Sequence, residues 1–140
     1  MYIIEYIYYT ILYIYIFTCS MNIEWKDKLF DFALLDDKNS YDLIVSATKA
    51  VFPQLTTANI INARDNDGET ALMVNCIHCK STKLVEFMLS NGADLQITCN
   101  NGSGIFDYIK ENKHGVSKQL LDVIGTKYLQ TDEVLPPLNL

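Results

Sequence analysis

NARDNDGETALM, residues 62–73, and LVEFMLSNGADL, residues 84–95, are the stretches whose reading decides how this chain folds. Asp65-Asn66-Asp67-Gly68 is a tight-turn signature, because Asp and Asn bond their own backbone and glycine reaches a backbone conformation that other residues avoid. Thr70 follows where a helix needs an N-cap, which predicts a helix from near Ala71. Leu84, Val85, Phe87, Met88 and Leu89 crowd around a second helix and make it apolar on most sides, as expected of a helix wedged between neighbours. Asn91-Gly92 closes that helix, with Gly92 free to turn left-handed, and Ala93-Asp94 leads into the next turn.

The pattern recurs. Gly68 and Gly102 are 34 residues apart, as are Leu72 and Phe106, and Asn62 and Gln96, while Gly92 and Gly125 are 33 apart. A period in this range implies stacked helix-turn-helix units, none of which can bury its apolar face alone. The two stretches resemble the ankyrin repeat, whose pattern is D-x-x-G-x-T-P-L-H, then I-V-x-L-L-L, then x-x-G-A-D. Asp65, Gly68, Thr70 and Leu72 match the first part, Leu84, Val85, Phe87, Met88 and Leu89 fit the second, and Gly92, Ala93 and Asp94 match the third. Ala71 and Met73 replace the Pro and His of the pattern, so the hydrogen bonds that the family's His supplies are absent. In the third unit Gly104 stands where Thr70 stood, which removes the cap. Lys118 and Asp122 replace Val85 and Leu89 on a helix expected from about Val116 to Ile124, which gives the outer face of a terminal unit. The similarity is strong over Asn62 to Gln96, weaker over Cys99 to Gly125, and reduced to layout alone before Asn62.

Upstream, Trp25, Leu29, Phe32 and Leu35 form one stripe of a helix from about Asn22, its N-cap, to Leu35. Asp36 to Asn39 make a polar turn. Ser40 can cap a second helix, Tyr41 to Phe52, with Tyr41, Ile44, Val45, Thr48 and Phe52 on one face and Pro53 as its stop. The expected organisation is a hydrophobic leader (1–20), a degenerate N-terminal helical repeat (21–61), the ankyrin repeat (62–98), a capping repeat (99–125) and an extended tail (126–140) containing Pro136-Pro137. The fold class implied is all-α, an ankyrin-repeat solenoid of helix-turn-helix units joined by β-turns or short hairpins.

The leader, MYIIEYIYYTILYIYIFTCS, holds six Tyr and six Ile, with Glu5 as its single charge. A bilayer span needs ~20 mostly apolar residues with Tyr at the interfaces, whereas Tyr8, Tyr9, Tyr13 and Tyr15 are spread through the middle. No Lys or Arg precedes the run, so the basic start of a signal peptide is missing. Three readings stay open: translation of AT-rich non-coding sequence upstream of Met21, a membrane anchor, or a folded helix or strand.

The 140 residues carry 49% hydrophobic and 20% charged side chains, enough for one core and too apolar for a disordered chain. A net charge of −6 with scattered basic residues disfavours nucleic acid. Cys19, Cys76, Cys79 and Cys99 are too irregular for a secreted disulfide framework. Cys76, His78 and Cys79 invite a zinc reading, with Cys99 or His114 as further ligands. The repeat argues against it, since Cys76 takes a small buried position and Cys99 lies at the other end of a helix roughly 15 Å long at ~1.5 Å per residue. Asn101-Gly102-Ser103 is a glycosylation sequon, but it coincides with a turn that the repeat requires. No nucleophile, acid-base pair or phosphate loop emerges, so neither catalysis nor a cofactor is expected.

The resemblance implies a non-catalytic protein-interaction module, monomeric and cytoplasmic. Its variable positions fall here on Arg64, Asn66, Asp67, Glu69, Ile77 and His78, and on Thr98, Asn100, Asn101, Ser103, Glu111 and Asn112. Arg64 and Ile77 are expected to be the strongest contacts with the protein partner. Ten Lys against one Arg, with eleven Asn and fifteen Ile, reflect AT-rich codons. Similar ankyrin proteins abound in large DNA viruses, so the resemblance extends to a viral or host-interacting adaptor. Alternatives are an adaptor tethered to a membrane through residues 1–20, or a decayed fragment of a longer ankyrin array.

Overall fold

The computed structural model describes residues 2–19 and 24–131, whose regular structure is helical apart from one isolated bridge between Arg64 and Thr70. The helices are α1 (Tyr2–Cys19), α2 (Glu24–Leu34), α3 (Lys38–Val51), α4 (Thr57–Ile61), α5 (Ala71–His78), α6 (Lys83–Ser90), α7 (Ile105–Lys110) and α8 (Ser117–Thr131). The start and stop signals act as their chemistry requires. Thr70 caps α5 by accepting the Met73 N–H at 3.4 Å, and Gly92 takes φ +95° after α6.

Six of these helices form two rows. α2, α5 and α7 pack side by side, and α3, α6 and α8 line up behind them, with each helix also touching its partner in the hairpin. One continuous core fills the space between the rows, running from Leu29 and Tyr41 through Leu72, Leu84 and Met88 to Ile109, Leu120 and Ile124. Each such fully buried side chain contributes on the order of 2 kcal/mol relative to exposure. The middle pair, α5 and α6, is buried on both flanks, which accounts for the apolar girth of residues 84–89.

Polar side chains join neighbouring pairs. Asp36, in left-handed conformation at φ 55°, accepts the Asn75 Nδ2–H at 3.0 Å and the Lys80 N–H at 3.0 Å, while Asn75 also donates to the Ala33 carbonyl at 2.9 Å. At the next junction Asn112 Nδ2 donates to the carbonyls of Cys76 (2.8 Å) and Cys79 (3.2 Å). Its Oδ1 accepts the N–H groups of His114 and Val116.

Several expectations need correction. α2 ends at Leu34 because the chain turns at Asp36, so Leu35 is 70% exposed and Ala33 takes the buried place beside Leu29. The cap of α3 is Asp37, whose carboxylate accepts the Ser40 N–H at 3.1 Å and the Ser40 hydroxyl at 2.7 Å, so Ser40 serves the cap without being it. The short helix α4, absent from the sequence reading, is held by a reciprocal cap between Thr56 and Asn59 and buries Ile60 and Ile61. Gly125 does not repeat the role of Gly92: it lies inside α8, which continues to Thr131 over the helix-compatible run Lys127 to Gln130. The expected cap Asn22 and the Pro136-Pro137 segment lie outside the described residues.

α1 lies against α3, and its Ile3, Ile4, Tyr6, Tyr8 and Tyr9 are largely exposed. Its 18 residues span roughly 27 Å at ~1.5 Å per residue, short of the ~30 Å hydrocarbon core of a bilayer. Among the described residues, no helix is long and apolar enough to cross a membrane.

Candidate functional site

Two equivalent turns build one edge of the molecule. In the first, the Asp65 N–H donates to the Glu69 carbonyl (3.0 Å) and the Gly68 N–H to the Asp65 carbonyl (3.0 Å). Thirty-four residues on, Cys99 N–H donates to Ser103 (2.9 Å) and Gly102 N–H to Cys99 (2.9 Å). Gly68 at φ +77° and Gly102 at φ +86° supply the same left-handed step. In the first turn the Asp65 carboxylate accepts the N–H groups of Asp67 and Glu69, each at 2.9 Å, and in the second Asn101 Oδ1 accepts that of Ser103 at 3.1 Å. The sequon asparagine therefore works inside its turn. The turns also stack on each other: Asn100 N–H donates to the Asp67 carbonyl at 2.9 Å, and Asn100 Nδ2 to the Asn66 carbonyl at 3.0 Å.

Between these turns and the helices that follow them lies an open cleft of about 390 Å³. Seven of the twelve sequence-predicted positions line it: Asp67, Glu69, Ile77, Asn100, Asn101, Ser103 and Glu111. Cys99, Asp107 and Tyr108 complete the lining and were missed. Asp107 and Glu111 are four apart on α7 and its C-cap, a spacing that places them together, so helical periodicity carried through the third unit would have found Asp107.

The other five positions are placed differently. Arg64 does not face the cleft: its Nε donates to the Gly68 carbonyl at 2.9 Å and its Nη2 to the Thr98 carbonyl. The guanidinium thus ties one turn to the next while the side chain stays exposed. Asn112, too, is committed to the junction described above, because its amide completes the carbonyls that α5 leaves open. Asn66 and Thr98 are exposed but outside the cleft, and His78 is half-exposed at the end of α5. Burial, with the positive charges of Lys113 and His114, holds the His78 imidazole below its ordinary pKa.

The groups of the cleft interact electrostatically. Burial pushes the Tyr108 hydroxyl up, and hydrogen bonds with Cys99 and Glu69 push it further. For Cys99 burial acts upward, but hydrogen bonds from the Tyr108 hydroxyl and from the backbone of Asn101 and Ser103 outweigh it and hold the thiol below its ordinary value. The other thiols behave oppositely. Burial pushes Cys76 well up, with Cys79 adding, and raises Cys79 to about 11. Among the described residues, Asp65, Asp67 and Glu69 are the one group of His, Cys, Asp or Glu close enough to share an ion, and the Asp65 carboxylate already serves two N–H groups.

No protein-family model, curated protein or solved structure matches the chain.

Proposed function

We propose that this chain is a non-catalytic protein-interaction module built as a short ankyrin-type solenoid, which receives a protein partner along the stacked turns and the cleft behind them. The observation that carries the reading is the 34-residue recurrence of turn hydrogen bonds, joined by the Asn100 to Asp67 bond into a continuous edge. Turn-tip side chains such as Asn66 and Asp67 cannot reach the core, so they can suit a partner at little cost to the fold. Ile77 supports the reading further, as a half-exposed aliphatic side chain lining the cleft. We read the module as a monomeric cytoplasmic adaptor without affinity for nucleic acid, of the kind similar ankyrin proteins provide in large DNA viruses.

Comparative affinity capture tests this. Ile77→Ala combined with Glu111→Ala should keep a cooperative melt, lowered only by the packing that Ile77 gives the core, and lose at least one protein that the parent captures, with its affinity reduced tenfold or more, about 1.4 kcal/mol. An identical captured set from both proteins, at matched affinity, would remove the cleft from the interaction.

The exposure of Ile3, Ile4, Tyr6, Tyr8 and Tyr9 on α1 favours a second reading, in which the same module is held at a membrane surface by α1. Flotation with neutral vesicles separates the two, because the tethered form would rise with the lipid and the chain beginning at Met21 would stay behind.

A further inference from the structure

We infer that the cleft between the second and third units accepts a basic peptide segment, with an aliphatic or aromatic side chain seated among its Lys and Arg residues. The inference rests on the interaction-module reading and names the chemistry of the partner. Ile77 and Tyr108 supply apolar surface to the lining of the cleft. Its rim is acidic: Asp67 and Glu69 come from the first turn, and Asp107 and Glu111 from α7 and its C-cap. Among the described residues, no Lys, Arg or His lines it.

One of the four carboxylates is fixed in position: Asp107 accepts the Gly104 N–H at 3.0 Å. Asp67 and Glu111 are exposed. Arg64, the cation of the first turn, points its guanidinium at the carbonyls of Gly68 and Thr98. Lys113 and His114 follow α7 outside the cleft lining. Four like charges around one concavity repel each other, and low-dielectric walls focus their field into it. A cationic segment relieves that repulsion, whereas an acidic one compounds it, and Ile77 with Tyr108 gives an apolar side chain a place to lose water.

Selection from a display library of random twelve-residue peptides on the immobilised full chain tests the inference without choosing a ligand beforehand. Recovered peptides should be enriched in Lys and Arg flanking an apolar residue, and synthetic copies should bind more weakly as salt rises. Asp67→Asn with Glu111→Gln keeps the shape of the rim and removes two charges. It should weaken binding tenfold or more and flatten the salt dependence, while Ile77→Ala should weaken binding at every salt concentration. Neutral or acidic peptides that bind and depend on Ile77 would overturn the basic-partner inference and leave the docking surface intact. Basic peptides indifferent to the Asp67 and Glu111 changes would overturn it as well, since they would be answering only the net charge of −6. Recovery of no peptide above background, or of peptides indifferent to all three positions, would remove the cleft as a docking surface altogether.

Discussion

Gly68 and Gly102 take almost the same left-handed conformation but differ in what surrounds them. A Cβ at Gly68 would meet Asn100 Oδ1, and Arg64 Nη2 at 2.9 Å, whereas nothing lies within 4 Å of the same position at Gly102. Gly102→Ala should therefore cost only the conformational strain, about 1 to 2 kcal/mol. Gly68→Ala should cost about 1 kcal/mol more, because Asn100 and Arg64 must move and the bonds they make between turns are weakened. Thermal melts of the two variants check this, and equal losses would mean that the inter-turn bonds contribute nothing. The thiols give a second residue-scale prediction. Cys76 and Cys79 hold their protons in the folded chain above the ordinary thiol value of 9.0, Cys79 up to about 11, so the unfolded chain releases protons first as pH rises. A group with a raised folded pKa stabilises fully below its unfolded value and loses that contribution as pH rises through the folded one. The melting temperature should fall between pH 9 and 11, and Cys76→Ala with Cys79→Ala, though less stable at neutral pH through lost packing, should show a shallower fall.

Among the elements, α7 has the weakest start. Gly104 occupies the register of Thr70 with an extended backbone, φ −104° and ψ −177°, and its nearest neighbour to an added Cβ is Thr98 Cγ2 at 3.9 Å. The extended backbone suits Thr and its Cβ has room, so its hydroxyl can accept the Asp107 N–H as Thr70 accepts that of Met73. Gly104→Thr should stabilise by about 0.5 to 1 kcal/mol through the restored cap and the smaller entropy of the unfolded chain, seen as a rise in melting temperature. A lower melting temperature would show that the Asp107 bond to the Gly104 N–H already satisfies the helix start. The missing cap was legible from the repeat register, as were the turns, the ends of α5 and α6, and the apolar girth of α6, because each depends on residues close in sequence. The short α4 was not legible, since five residues give no periodicity to read. Leu35 misled for a different reason: the stripe continues past a turn that Asp36 forms by bonding to Asn75 and Lys80, more than thirty residues away. The site divides in the same way. Positions near the turn tips could be placed by register, but whether Arg64 or Asn112 meets solvent or bonds the adjacent unit depends on side-chain direction across a junction.

For the whole molecule the two-row arrangement makes the middle pair decisive, because both flanking units pack on α5 and α6. Met88 has no exposed surface. Met88→Asp buries an unpaired carboxylate at a cost of several kcal/mol, within the ~5 to 15 kcal/mol of a whole domain, and should abolish the cooperative melt of the entire chain. A melt within a few degrees of the parent's would show that the units do not depend on one another. α1 stands in the opposite relation to the core. It touches α3, yet its described side chains stay largely exposed, and none of those described side chains belongs to the core running from Leu29 to Ile124. A chain beginning at Met21 should keep the parent's melting temperature to within about 4 °C, since 1 kcal/mol corresponds to ~4 to 8 °C for a domain near this size. Its helical circular dichroism should fall by the share of α1 alone. It should also self-associate less, because the deleted segment carries the exposed Ile and Tyr side chains. A larger loss of stability, or aggregation of the shortened chain where the full one stays dispersed, would make α1 part of the folded unit and its contact with α3 a structural one.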